Sequence, residues 1–188
     1  MEFIENKNFR DKKYSENELV TGEYGGCSFT NCNFSNANLS EIVFTECKFE
    51  NCDLSMAKLV NTTFGDVEFS NCKLLGLRFD SCNKMTLVLN FSYCNLNFAS
   101  FFKLKLKKTR FDNCKLEEVE FAEADLTGSF FNNCDFIRAV FENTILEGCD
   151  FRTSFNFSIN PEINRISKAK FSHQNIGGLL SKYNITIE

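Results

Sequence analysis

Large apolar side chains fall at every fifth position through most of the chain. Phe29, Phe34, Leu39, Phe44, Phe49, Leu54, Leu59, Phe64, Phe69, Leu74 and Phe79 form one unbroken run. Phe91, Leu96, Phe101, Leu106, Phe111, Leu116, Phe121, Leu126, Phe131, Phe136, Phe141, Leu146 and Phe151 form a second. The first run reaches back, less cleanly, through Tyr24, Leu19, Tyr14 and Phe9. Two positions ahead of each centre stands a small or apolar residue, such as Cys27, Ala37, Ile42, Thr62, Val119 or Ser129, and the other three places are mostly polar. A period of five matches neither the 3.6 of a helix nor the 2 of a strand. It fits a coil in which each five residues make one side and one corner, with two side chains pointing in and three out.

Spacing at longer range gives the number of sides. Phe29, Phe49 and Phe69 stand twenty apart, as do Phe91, Phe111, Phe131 and Phe151. Cys32, Cys52 and Cys72, then Cys94, Cys114 and Cys134, repeat the step, and Leu106, Leu126 and Leu146 make a third column. A twenty-residue repeat means four sides. Between the two runs the step is 22, from Phe69 to Phe91 and from Cys72 to Cys94, which places one two-residue insertion within 80–90.

The repeats CNFSN (32–36), ANLSE (37–41), CDLSM (52–56), CNLNF (94–98), ADLTG (124–128) and CDFIR (134–138) resemble the pentapeptide-repeat family, whose consensus is often written A(D/N)LXX. The resemblance covers residues 24–151 and implies an all-β fold, a right-handed quadrilateral parallel β-helix with a short C-terminal helix. A solenoid buries each coil only against its neighbours, so both ends need caps. Residues 1–23 are expected to cap the N-terminal end, and 152–188 to hold an irregular last coil, a helix and a tail. Phe171 lies one twenty-residue step beyond Phe151, with Ala169 two places before it. Ser172 can cap a helix over 173–183 in which Ile176, Leu179, Leu180 and Tyr183 make an apolar stripe, and 184–188 reads as a short strand.

Ten Cys in 188 residues raise the question of disulfides or a metal. All ten fall at the inward place two before a centre, the spacing is not that of a zinc knuckle, and His173 is the only histidine. They are expected to be reduced, inert core residues, and no metal or cofactor is expected. No apolar run has the length of a bilayer-spanning helix, and the charged N-terminus lacks a signal-peptide core. A cytoplasmic protein without membrane contact is the expectation.

The net charge of −4 is unevenly spread: −4 over residues 1–79, +5 over 80–110, −8 over 111–150 and +3 over 151–188. Lys103, Lys105, Lys107, Lys108 and Arg110 project outward, and the twenty-residue rule sets Lys103 beside Glu123 and Lys105 beside Asp125. A solvated ladder of ion pairs is the plain reading of these cations, and direct nucleic-acid binding is not expected from so short a basic stretch among acids.

There is no nucleophile elbow, no glycine-rich phosphate loop and no His–Cys or carboxylate pair outside the repeat register. A non-enzymatic binding protein is therefore expected. The chain is similar to quinolone-resistance members of the Qnr and MfpA type. That likeness implies a rod that imitates duplex DNA, binds DNA gyrase or topoisomerase IV, protects them from quinolones, and pairs end to end as a homodimer through its C-terminal helix. On this reading the partner-binding surface is Glu117, Glu118, Glu120, Glu123 and Asp125. The dimer interface is Ile176, Leu179, Leu180, Tyr183, Ile185 and Ile187, which in an isologous contact meet their own copies. The competing reading is a scaffold module with an unrelated partner, motivated by outward apolar side chains at Phe98, Phe102, Phe130, Ile137 and Val140.

Overall fold

A computed structural model describes residues 2–14 and 19–186. Successive coils lie in parallel register with a twenty-residue step, and four sides are traced by four ladders. The first side is a seven-stranded sheet of Asn8–Arg10, Ser28–Thr30, Lys48–Glu50, Val67–Ser70, Leu89–Ser92, Arg110–Asp112 and Phe130–Asn132. Single bridges continue the second side, from Lys13 through Asn33, Asp53, Lys73, Asn95, Lys115 and Asp135 to Phe155. The third side carries Asn38–Lys58 and then Arg78, Ser100, Glu120 and Val140. On the fourth, Glu2–Glu5, Gly22–Gly25, Val43–Thr45 and Thr63–Gly65 form a four-stranded sheet, which gives way to bridges Lys105–Asp125–Ile145–Arg165.

Each centre residue points inward. Phe29, Phe34, Leu39, Phe44 and their successors are buried from one end to the other. On the first side, rings from Phe9 to Phe171 stack in one column with centroids 4.7 to 5.5 Å apart, nearly parallel. Strand spacing of about 4.8 Å sets that distance, so the backbone ladder and the aromatic stack reinforce each other.

Corners explain the polar places. The residue two past each centre has φ between 50° and 64° at every non-glycine corner from Asn31 to Asn143 that adopts positive φ, and none of these is Val, Ile or Thr. The left-handed region costs a β-branched residue most, whereas Asn and Gly tolerate it. At Gly76 a side chain would also strike the Met56 sulfur, 2.5 Å from the would-be Cβ. The Asn or Asp before a centre closes the same turn: the Oδ1 atoms of Asn33, Asp53 and Asn95 accept from the N–H of Ser35, Ser55 and Asn97 at 2.9 to 3.1 Å.

The register between Val67–Ser70 and Leu89–Ser92 steps by 22, so the two extra residues lie between these strands. Across this point the second aromatic column changes sides. Tyr24, Phe44 and Phe64 stack on the fourth side, while Phe79, Phe101, Phe121 and Phe141 stack on the third.

The C-terminal segment departs from the expected helix and strand. Ile176–Leu179 and Ser181–Tyr183 are two short 3₁₀ turns, and residues 184–186 are irregular. Gly177 and Gly178 weaken an α-helix. Gly178 also presses onto Phe157, which leaves no room for a Cβ, and its carbonyl accepts from the Ile159 N–H at 2.9 Å. The backbone is thus tied to the last coil as well as closed by its own short turns, as in the Leu180 N–H bond to the Gly177 carbonyl at 2.9 Å.

Candidate partner-binding surfaces

The ten cysteines are all free and buried. They do more than fill space: the thiols of Cys47, Cys52, Cys72, Cys134 and Cys149 donate to the carbonyls of Tyr24, Phe29, Phe49, Phe111 and Leu126, each twenty-three positions back, at 2.9 to 3.4 Å. Thr62, Ser129, Thr144 and Ser154 make the same bond with their hydroxyls at 2.7 to 3.0 Å. Where the inward place two before a centre holds Cys, Ser or Thr, the side chain thus adds a bond between coils that the Ala, Val, Leu and Ile at the other such places cannot make. Burial pushes the Cys47 thiol up to about 11 and the Cys82 and Cys149 thiols up to about 12, far from the thiolate that reacts or binds metal. Among the described residues no group of three or more His, Cys, Asp and Glu is placed to hold a metal ion.

Glu117, Glu118, Glu120, Glu123 and Asp125 do not share a face. Glu117 and Glu118 sit at the second side and its following corner, Glu120 on the third, Glu123 at the next corner and Asp125 on the fourth. Most are paired across coils. Arg138 bridges Glu117 and Glu118 at 2.5 and 2.8 Å, and Lys103 meets Glu123 at 3.3 Å. Asp125 pairs with Lys107 at 3.1 Å and not with Lys105, its partner in backbone register. The Asp125 carboxylate is drawn forward because it accepts from the N–H and hydroxyl of Thr127. Burial pushes this carboxyl up, but the Thr127 and Lys107 contacts outweigh it and hold the group below its ordinary value. Glu120 instead accepts from the Ala122 N–H at 2.8 Å.

Acid without such compensation lies elsewhere. Glu5, Glu23, Glu46 and Asp66 lie along the N-terminal half of the fourth side and the corner after it, with Glu41 on the corner before. None of the five is in an ion pair among the described residues. Gly25 and Gly65 keep this face low between them. Counting charge along the chain misses the face because the surplus at 111–150 is neutralised from neighbouring coils.

The apolar residues also divide. Phe98 and Phe102 flank Ser100 in a shallow groove on the third side, closed by Arg78, Glu118 and Glu120. Phe130 stands on the first side under the Arg110 guanidinium, 5.8 Å from its ring centre. Ile137 and Val140 are half-buried. At the C-terminal end Ile176, Tyr183 and Ile185 are exposed, Leu179 and Leu180 are half-buried, and Ile187 lies outside the described residues. Tyr183 donates its hydroxyl to Glu162 at 3.1 Å, and Lys182 forms an ion pair with the same carboxylate. No helix among the described residues is long and apolar enough to cross a membrane.

Residues 25–89 match the family described as pentapeptide repeat region, and residues 114–152 match pentapeptide repeats (8 copies). No curated protein matches the sequence. Among solved structures, a trypsin-treated form of QnrB1, a plasmid-mediated fluoroquinolone resistance protein, superposes with a TM-score of 0.63 at 20% identity, over 96% of this chain and 98% of its own. Full-length QnrB1 gives a TM-score of 0.58 at 20% identity, over 98% and 100% of the two chains. At that identity the likeness is one of fold.

Proposed function

The chain belongs to the pentapeptide-repeat family, and on that premise we propose that it is a binding protein without catalysis of its own. Its outer faces engage a type II topoisomerase, DNA gyrase or topoisomerase IV, in place of duplex DNA and protect that enzyme from quinolones. The observation that carries this reading is the match in fold to a fluoroquinolone resistance protein along nearly the whole of both chains. The acidic face of Glu5, Glu23, Glu46 and Asp66 supports it with the right sign of charge.

Magnitudes set how close the imitation is. About one carboxylate per coil of ~4.8 Å is a thinner line of charge than duplex DNA, which carries one per ~1.7 Å of axis. Shape and sign are mimicked more than charge density, and binding should depend on salt less steeply than DNA binding does.

Supercoiling by gyrase, measured with and without ciprofloxacin, tests the reading. Inhibition at high protein, or rescue from the drug, is expected; neither effect at micromolar protein discards it. The exposed Ile176, Tyr183 and Ile185 support pairing of two rods through their C-terminal ends. Light scattering should give the dimer mass, and a monomer mass that does not change with concentration would rule the pairing out.

A scaffold role with another partner draws on the Phe98–Phe102 groove. Phe98→Ser with Phe102→Ser should then abolish capture of that partner while leaving gyrase assays unchanged.

A further inference from the structure

Two features that the topoisomerase reading leaves unused meet on the fourth side. One is the insertion. Neither Lys84 nor Thr86, which the two registers would offer as centres, is buried; Leu87 turns inward instead, and Met85 is left 90% exposed with Val88 half exposed beside it. The other is the next coil, which presents Lys105, Lys107 and Lys108 on the same side. Leu87, Val88 and Leu89 form one wall and the three lysines the other of a groove of about 330 Å³. Because it lies between consecutive coils, the groove runs across the rod axis.

We propose that this groove seats an extended, acidic segment of a partner protein, its carboxylates on Lys105 and Lys108 and an apolar side chain against the exposed Val88. The topoisomerase reading is not needed for it. Lys107 is already paired with Asp125, whereas Lys105 and Lys108 form no ion pair among the described residues. Lys105 stands on the fourth side and Lys108 at the corner after it, so an extended segment lying across the rod passes both.

Charge complementarity also limits the occupant to one that crosses the rod. The cationic strip is one coil tall, with Asp66 and Glu46 in preceding coils and Asp125 in the following one. A duplex lying along the rod would set phosphates against those carboxylates, and the apolar wall offers phosphates nothing. A peptide in the groove meets the lysines, the apolar wall and the neutral Asn90 and Thr109, and no carboxylate.

The test uses the full chain and three fluorescent probes: a short peptide alternating Glu with Val, the same peptide with Gln for Glu, and a short DNA duplex. Anisotropy should show the Glu peptide binding in preference to the other two. Lys105→Glu with Lys108→Glu should weaken it about tenfold, and Val88→Ser about threefold. Phe98→Ser, on the third side, should leave it unchanged. These side chains are exposed, and thermal melting checks that each variant is folded. Absence of Glu-peptide binding, or binding that ignores both substitutions, overturns the proposal. Tighter binding of the duplex with no sensitivity to Val88 overturns it too, and assigns the lysines to phosphate.

Discussion

The rod has two halves that solve the same packing problem differently. Before the insertion the fourth side is a sheet with an aromatic column of Tyr24, Phe44 and Phe64. After it that side turns tightly, as in the Thr109 N–H bond to the Leu106 carbonyl, and holds Leu106, Leu126 and Leu146. The displaced aromatic column runs up the third side from Phe79 to Phe141. A ring column and a leucine column exchange sides, the kind of swap a close-packed interior tolerates. The halves differ in charge as well. Ion pairs across coils neutralise the C-terminal half, and the N-terminal half keeps an open acidic face.

The first-side column, common to both halves, should respond alike in each. Phe49→Ala and Phe111→Ala both open a cavity in a stack that cannot close up. Each should cost about 3–5 kcal/mol in urea unfolding; a marked difference between them would mean that the halves unfold separately.

Exchanging centres breaks the comparison more pointedly. Phe121→Leu with Leu126→Phe moves an aromatic onto the tight fourth side and should cost about 1–3 kcal/mol through overpacking. Near-neutral stability would show that turn geometry does not decide which side takes the ring.

The donor place is subtler. Thr144→Val keeps the shape but leaves the Phe121 carbonyl without its 3.0 Å hydroxyl bond, for about 1–2 kcal/mol. Thr144→Ser should lose much less, and equal losses would remove the donor from the account.

The smallest effect is acid loosening. Arg152 hydrogen bonds hold the Asp150 carboxyl below its ordinary value, and Lys107 and Thr127 do so for Asp125 against the opposing pull of burial. A depressed folded value contributes stability above the unfolded value and loses it as pH falls through the folded one. Protection factors, taken against the intrinsic exchange rate at each pH, should therefore fall for the amides beside Asp125 and Asp150 from about pH 4 downward. A fall that begins in the N-terminal half would contradict this.

Much of this architecture was legible in the residues. Phe at every fifth place and Cys at every twentieth follow directly from strand alternation and coil stacking, so the four sides and the insertion could be read in advance. The left-handed corners leave a trace as well, in the Asn-rich and Val-, Ile-poor places two past each centre, but the spacing alone predicted only that those places face outward. The tail was not legible. Its apolar spacing suits a helix, but Gly178 is needed for close approach to Phe157, a tertiary contact that no local pattern announces. Among the acidic residues the twenty-residue rule read the Lys103–Glu123 pair, but it set Lys105 beside Asp125, whose partner is Lys107, and it did not offer Arg138, which bridges Glu117 and Glu118.

Gyrase binding by two matched neutral variants tests the central claim most directly. One carries Glu23→Gln, Glu46→Gln and Asp66→Asn; the other carries Glu117→Gln, Glu118→Gln and Glu123→Gln. The open face should matter more than the paired collar, so the first set should weaken binding about tenfold and the second less than about threefold. Equal losses, or a larger loss from the second set, would contradict the account.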